Sequence, residues 1–218
     1  MYTAAKRAGR NPDEVRLCAV TKYAPLEAVK ELLASGEIKE AAESRVQDAQ
    51  KRITELAAPA GQIRWRLIGH LQTNKAKQAV ETFDAIDSVD SLHLAQALEK
   101  RCAEIGKEME VLVQVKLTSN PRQSGVRPEE LLDLVKEILK FPHLRLNGLM
   151  AIGPEDSETL RPSFKMAKAL FDQVFAGRKG ALLSLGMSHD FETAIEEGST
   201  MVRIGSALFS GPAKSSVN

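Results

Sequence analysis

The residue with the most distinctive chemistry in this sequence is Lys22, which follows a short, mostly apolar stretch at residues 16–21. Pro25 lies three positions further on, so the stretch is bounded and has the length of a strand. A run of this kind is typical of a strand buried on both faces of a parallel sheet. A lysine at its end loses part of its hydration, which favours the neutral amine and predicts a Schiff-base lysine. The alternative is an ordinary lysine whose stem leads its charge out to water, and Lys22 taken alone favours it.

Stretches of strand length alternate with amphipathic stretches of helix length along the whole sequence. The predicted strands cover residues 16–21, 40–43, 64–68, 83–89, 109–117, 144–150, 181–185 and 201–204. Helices are predicted between them, among them 46–57, 74–82 and 155–175, the last irregular around Pro162. Eight such units with short connections predict one domain, residues 1–218, folded as a single (β/α)₈ TIM barrel. An open, doubly wound sheet is the alternative.

The charge, the apolar runs and the cysteines of the sequence indicate which partners and which cellular compartment to expect. The net charge of +1 gives no overall field that would attract nucleic acid or a membrane surface. No apolar run approaches the roughly 20 residues of a membrane span, and the first residues lack the apolar core of a signal peptide. Cys18 and Cys102 stand in apolar contexts, which predicts buried thiols in a reducing compartment. We therefore expect a cytoplasmic protein, and a monomer, with neither nucleic acid nor membrane as partner.

The connections after the seventh and eighth predicted strands have the composition of a phosphate site. In barrels of this type, phosphates bind at these two connections, where backbone N–H groups point at the ligand. Gly186 and Gly205 would allow close approach of the backbone, and the hydroxyls of Ser188 and Ser206 add donors. The alternative for Ser188 is that it caps the helix that follows it, which is compatible with phosphate binding.

A lysine at strand one that faces a phosphate site at strands seven and eight indicates pyridoxal 5′-phosphate, which needs both an amine and a phosphate cradle. Arg203 would lie between them, within reach of the pyridine nitrogen. A guanidinium has donors only, so it would keep that nitrogen unprotonated and make the ring a weaker electron sink. The alternative for Arg203 is a salt bridge across the barrel mouth to Glu43 or Asp190.

Short motifs that agree with this interpretation occur in order along nearly the whole chain. They are AVTK at 19–22, ESRVQ at 43–47, IGHLQTNK at 68–75, GLMAI at 148–152, SLGMS at 184–188 and MVRIGSA at 201–207. Through these motifs the chain resembles the pyridoxal phosphate homeostasis proteins, the YggS/PROSC group. The resemblance implies the fold-type III barrel of the alanine racemase N-terminal type, with pyridoxal phosphate held as an aldimine on Lys22.

The resemblance also assigns the other residues of the site. It implies that Ser188, Gly205 and Ser206 hold the phosphate and that Arg203 faces the pyridine nitrogen, with Met150 and Met187 beside the ring. Ser44 stands where the family commonly has an asparagine near the cofactor, and a threonine is usual at the position of Ser206. The predicted cofactor-binding residues are Lys22, Ser44, His70, Met150, Met187, Ser188, Arg203, Gly205 and Ser206.

The resemblance implies a protein that carries pyridoxal phosphate and supplies it to apo-enzymes, without catalysis of its own. A racemase needs acid–base groups on both faces of the ring. In alanine racemase the second is usually a tyrosine from a separate domain of a partner subunit, whereas this chain ends soon after strand eight. Its tyrosines are Tyr2 and Tyr23, and Tyr23 is expected to point away from Lys22.

Two other functions remain open from the sequence. One is a minimal racemase or lyase that uses His70 or Tyr23 as its second base. The other is a cofactor-free barrel, such as a Schiff-base aldolase that binds a sugar phosphate.

Overall fold

The computed structural model describes residues 1–56 and 63–209, in which eight parallel strands close into a barrel. The strands pair in chain order, and the last pairs with the first. They are β1 (Arg16–Val20), β2 (Glu40–Glu43), β3 (Arg64–Leu67), β4 (Ala85–Val89), β5 (Met109–Val115), β6 (Leu144–Ala151), β7 (Leu182–Ser184) and β8 (Met201–Ile204). The predicted (β/α)₈ barrel is therefore confirmed, and the open sheet is excluded.

Helices surround the barrel, one following each strand and one preceding β1. They are α1 (Tyr2–Arg7), α2 (Leu26–Ala34), α3 (Val46–Leu56), α4 (Ala76–Thr82), α5 (Leu92–Ile105), α6 (Leu131–Ile138), α7 (Ser157–Phe175), α8 (Phe191–Glu196) and α9 (Ser206–Phe209). Short 3₁₀ turns at Thr73–Lys75 and Pro128–Glu130 lead into α4 and α6. Within the described ranges, no helix has both the length and the apolar character needed to cross a membrane.

The boundaries differ from the prediction mainly where helices begin and strands end. Strand five stops at Val115, two residues earlier than predicted. Phe83, predicted to begin strand four, instead ends α4 as its C-cap. Helix α7 is continuous through Pro162, and it begins at Asp156, whose carboxylate accepts the backbone N–H groups of Glu158 and Thr159. The end of the predicted helix 46–57 lies outside the described residues.

Most strand residues are buried whichever face of the sheet they lie on, because each strand separates two packed layers. In β1, Ala19 belongs to the core between sheet and helices, whereas Cys18 and Val20 belong to a smaller cluster inside the barrel. Cys18 and Cys102 are free and buried, as predicted. Burial raises the pKa of the Cys102 thiol to about 11 and raises that of Cys18 further, so both stay protonated at neutral pH.

The barrel interior contains an arginine, Arg66, whose side chain is fully buried among three carboxylates. Its Nη2 lies 2.7 Å from Asp87 Oδ1 and 2.8 Å from Glu110 Oε1, and its Nη1 lies 2.7 Å from Glu40 Oε2. Burial alone would lower the pKa of Arg66, but the carboxylates raise it well above its usual value. The guanidinium therefore stays charged and joins β2, β3, β4 and β5 through one side chain.

Two further arginines balance the charge of this cluster. Arg16 lies 3.3 Å from Glu40, and Arg64 lies 2.9 Å from Glu110. With Arg66, three arginines thus face three carboxylates. This pairing of opposite charges offsets the cost of placing ionised groups in the barrel interior.

Replacing Arg66 with methionine would leave three carboxylates without their central partner. We expect Arg66→Met to lower the free energy of unfolding by about 3–5 kcal/mol, the usual cost of breaking a buried ion pair from one side. The loss should shrink as the pH falls, because unpaired carboxyl groups take up protons and lose their charge. Chemical denaturation at several pH values measures both effects.

Arg145→Met is the control, since Arg145 is exposed and pairs with Glu108 at 3.1 Å on the surface. This change should cost less than about 1 kcal/mol. Equal losses for the two variants would contradict a special role for the interior cluster.

Candidate functional site

A cavity of about 450 Å³ opens at the carboxyl ends of β1, β7 and β8. Parallel barrels place their ligand sites at this end, because the strand-to-helix connections converge there. The predicted site residues that line this cavity are Lys22, Met187, Ser188, Arg203, Gly205 and Ser206. The structure therefore brings together the lysine, the arginine and the hydroxyl-bearing connections that the sequence placed on separate strands.

Arg203 lines the cavity from inside the barrel and is only 3% exposed. Its Nη1 donates to the carbonyl and the hydroxyl oxygen of Ser184, each at 2.8 Å, and its Nη2 donates to the carbonyl oxygen of Ala151 at 2.9 Å. All three acceptors are neutral oxygen atoms of Ser184 and Ala151, so the alternative of a salt bridge from Arg203 to Glu43 or Asp190 is wrong. They hold the guanidinium in place and leave its charge uncompensated by direct contact.

The environment of Arg203 shows in its pKa. Burial lowers the pKa of the guanidinium from its ordinary value, and the more distant carboxylates of Asp87 and Asp190 oppose that effect. A desolvated cation of this kind favours an anionic ligand at the cavity wall.

The two connections that follow β7 and β8 are joined through Ser188. Its hydroxyl oxygen accepts the backbone N–H groups of Gly205 and Ala207, each at 3.3 Å. Ser188 therefore does not cap the helix that follows it, α8, which begins at Asp190. It instead places its hydroxyl next to the first backbone amides of the β8 connection.

The connection after β7 is held in place by Asp190 and Gly186. The Asp190 carboxylate accepts the backbone N–H of Met187 at 2.5 Å, and Asp190 is 4% exposed. Gly186 has a φ of +93°, and a Cβ there would lie 2.6 Å from Ala194 Cβ and 2.9 Å from Phe191 Cα of α8. The glycine predicted to let the backbone approach a ligand thus also lets it approach the neighbouring helix.

Lys22 is exposed, so the partial desolvation predicted for its amine is wrong. It lies one residue beyond the buried Thr21, where the chain leaves the barrel. Its Nζ lies 5.9 Å from the ring centroid of Tyr23, so the expectation that Tyr23 points away from the lysine is also wrong. Tyr23 is 91% exposed and has a φ of +67°, a left-handed conformation that is uncommon for a residue other than glycine. The lysine is therefore accessible, and the backbone beside it is strained.

Three predicted site residues lie outside the lining of this cavity. Met150 is fully buried in the cluster inside the barrel. His70 pairs with Asp90, with 3.3 Å between Nδ1 and Oδ2. The backbone of Ser44 packs against Gly69, where a Cβ would lie 2.0 Å from the Ser44 carbonyl oxygen. Met150 is placed by the alternation of side chains along β6, whereas Ser44 and His70 are placed by the local contacts of their connections.

Several polar groups around the predicted site residues had no role predicted from the sequence. Ser184 orients Arg203, and His189, which also lines the cavity, lies 3.4 Å from Asp190. Glu43, predicted as a possible partner of Arg203, instead accepts from the hydroxyl of Thr21. The motifs named above contain Thr21, Glu43 and Ser184. Their membership could have marked these residues as part of the site, although their contacts could not be deduced from the sequence.

Geometry defines a parallel β/α-barrel protein with a lysine and an arginine in one cavity at the carboxyl ends of its strands. The chain belongs to the alanine racemase N-terminal domain family, which matches residues 2–212. It is 38% identical over 210 residues to the pyridoxal phosphate homeostasis protein of Aquifex aeolicus, covering 94% of this chain and 91% of that protein. Identity to the Escherichia coli protein of the same description is 39% over 215 residues, covering 94% and 89%. The resemblance predicted from the motifs is confirmed.

Solved structures agree with this assignment. The structure of PipY from Synechococcus elongatus with pyridoxal phosphate bound superimposes with a TM-score of 0.80 at 33% identity, covering 94% of this chain and 97% of that one. Alanine racemase from Clostridium difficile has a TM-score of 0.73 at 20% identity, and the match covers 53% of that chain. The second comparison shows a shared fold.

Gly186→Ala tests how closely the β7 connection must approach α8. We expect it to lower the free energy of unfolding by about 2–4 kcal/mol, because left-handed backbone strain and overpacking add. Gly177→Ala is the control: its φ is +74°, but nothing lies within 4 Å of a Cβ there. It should cost only the strain, about 1–2 kcal/mol. Equal losses in chemical denaturation would contradict the role given to the close approach.

Proposed function

We propose that this protein binds pyridoxal 5′-phosphate in the cavity at the carboxyl ends of β1, β7 and β8 and serves in the homeostasis of that cofactor. Lys22 holds the cofactor covalently through its aldehyde, and the loaded protein supplies it to other proteins. The observation that carries the proposal is that Lys22, Arg203, Ser188 and Ser206 line one cavity. The relatives described as pyridoxal phosphate homeostasis proteins, and the cofactor bound to PipY, support it.

The cavity has a size and lining that fit the cofactor. Its volume of about 450 Å³ lies within the range of small-molecule sites. Val20, Ile68 and Met187 supply apolar surface for a flat ring, and the polar groups lie on the connections. When bound, the cofactor supplies a reactive aldehyde and a dianionic phosphate.

The phosphate subsite is assigned to Ser188, Gly205 and Ser206. The backbone N–H groups of Gly205 and Ala207 now donate to the Ser188 hydroxyl at 3.3 Å, which is long for such bonds. A phosphate oxygen forms shorter, charge-assisted bonds and is the better acceptor for these groups. Arg203 is assigned to the pyridine nitrogen, and its guanidinium adds a positive charge to the same cavity.

The site is better suited to binding and delivering the cofactor than to catalysing a reaction with it. The structure gives Lys22 an exposed position, which lets another molecule reach it. Tyr23 lies against Lys22, and His70 lies outside the cavity lining, so neither is opposed to the lysine across the cavity.

Lys22→Ala tests the covalent bond. The wild-type protein with pyridoxal 5′-phosphate should show a visible absorbance band from the lysine–cofactor bond, and the variant should lose it. Pyridoxine 5′-phosphate, which has an alcohol in place of the aldehyde, should bind both proteins with similar affinity. Lys30→Ala is the control, since Lys30 pairs with Glu27 at 2.9 Å on α2 and does not line the cavity. An unchanged spectrum in Lys22→Ala would overturn the assignment of the lysine.

Delivery is tested by adding the loaded protein to an apo-enzyme that depends on pyridoxal phosphate, in the presence of a scavenger of the free cofactor. We expect the apo-enzyme to recover activity faster than with the same amount of free cofactor. Equal recovery would contradict direct supply. Exchange of the Cα proton of amino acids for solvent deuterium, at useful turnover, would favour the catalytic alternative.

A further inference from the structure

Lys22 lies in a two-residue turn whose flanking residues are tied down by one hydrogen-bond network. Thr21 and Ala24 flank the turn, both are buried, and the Ala24 N–H donates to the Thr21 carbonyl oxygen at 3.1 Å. The Thr21 hydroxyl donates to Glu43 Oε1 at 2.6 Å, and Arg52 Nη1 donates to the Ala24 carbonyl oxygen at 3.0 Å. Arg52 Nε lies 3.0 Å from the same Glu43 oxygen and closes the network.

We infer that Thr21, Glu43 and Arg52 form a clamp that positions the Lys22 amine toward the cofactor cavity. The inference rests on the proposed function, because it concerns the lysine that holds pyridoxal phosphate there. These three are positioning residues: they act through the backbone on either side of Lys22 rather than by touching the ligand.

The turn needs such a clamp because there is open space behind it. A second cavity of about 320 Å³ lies on its other side, between the turn, α2 and α3, and Lys22 and Tyr23 line both cavities. Glu43 and Arg52 form part of the wall of this second cavity. Packing alone therefore does not keep the lysine on the cofactor side, since the turn has room to move in either direction.

The clamp also resists two unfavourable features. The left-handed backbone of Tyr23 is strained, and neighbouring contacts must offset that strain. The Glu43 side chain is only 1% exposed, and a buried carboxylate is tolerated where donors surround it. Burial raises the pKa of Glu43, while the Thr21 hydroxyl and the Arg52 charge oppose the rise. Both donors thus stabilise the charged carboxylate that holds them.

Thr21→Val and Thr21→Ser, compared by direct binding, test the inference. Bond formation joins Lys22 Nζ to the aldehyde carbon of pyridoxal 5′-phosphate and releases one water. Pyridoxine 5′-phosphate cannot form this bond, so its affinity reports the rest of the site. Thr21→Val should bind pyridoxal 5′-phosphate about tenfold more weakly, since it loses a hydrogen bond to a charged group. Its affinity for pyridoxine 5′-phosphate should stay that of the wild type, and Thr21→Ser should restore both.

Arg52→Gln provides a second, independent variant, and Arg64→Gln is its control. Arg64 pairs with Glu110 at 2.9 Å at the amino-terminal end of the barrel. Arg52→Gln should reduce the visible absorbance at a fixed, subsaturating concentration of pyridoxal 5′-phosphate, whereas Arg64→Gln should not. Thermal unfolding of each variant shows that binding is measured on folded protein.

The outcomes separate the clamp from the proposed function. Unchanged affinity for pyridoxal 5′-phosphate in Thr21→Val and Arg52→Gln would overturn the clamp. Parallel loss of both ligands would also overturn it, because it would show a merely structural role. Failure of the wild type to form the lysine bond, or an unchanged spectrum in Lys22→Ala, would overturn the proposed function itself.

Discussion

Two arginines inside the barrel link most of its strands in addition to the backbone pairing between neighbouring strands. Arg66 bonds carboxylates on β2, β4 and β5 from its own position on β3. Arg203 on β8 bonds the backbone of β6 and both the backbone and a hydroxyl of β7. Between them they span every strand except β1, which lies between β8 and β2 and carries Cys18 within the electrostatic reach of both guanidinium groups. A barrel interior built this way fixes the relative position of the strand ends, on which the site depends.

The two arginines are surrounded by different acceptors, and the difference decides what each can do. Arg66 forms ion pairs with three carboxylates, so its positive charge is paired within the protein. Arg203 meets two carbonyls and a hydroxyl, which orient it without cancelling its charge. In a site of low dielectric, an oriented and uncancelled cation attracts an anionic ligand strongly. The acceptors thus distinguish Arg66, whose charge is paired inside the barrel, from Arg203, which lines the cavity.

Features that depend on local sequence pattern, such as the strands, could be predicted. Contacts that depend on the face and the register of each strand in the closed barrel could not. Strand periodicity located β1 to β8, and the strand-end rule placed Lys22, Ser188 and Arg203 around one mouth. The Arg66 cluster was not foreseen, because its members come from four separate strands that lie far apart in the sequence. Met150 was assigned beside the ligand by its motif, and it packs in the cluster inside the barrel together with Val20, which lines the cavity. Family motifs identify positions, but only the closed barrel shows which way each side chain faces.

A lysine that binds a ligand and later releases it would have to meet two opposed requirements, and Lys22 has a structural feature that fits each of them. A lysine that retains a ligand must be held at a defined place, whereas a lysine that gives its ligand up must be reachable. Thr21 and Ala24 are buried and bonded to Glu43 and Arg52, which supplies the first requirement from the backbone. The Lys22 side chain is exposed between two cavities, which supplies the second. A fully buried lysine would meet the first requirement only, so an exposed amine on a turn with buried, hydrogen-bonded ends fits the proposed role of a carrier.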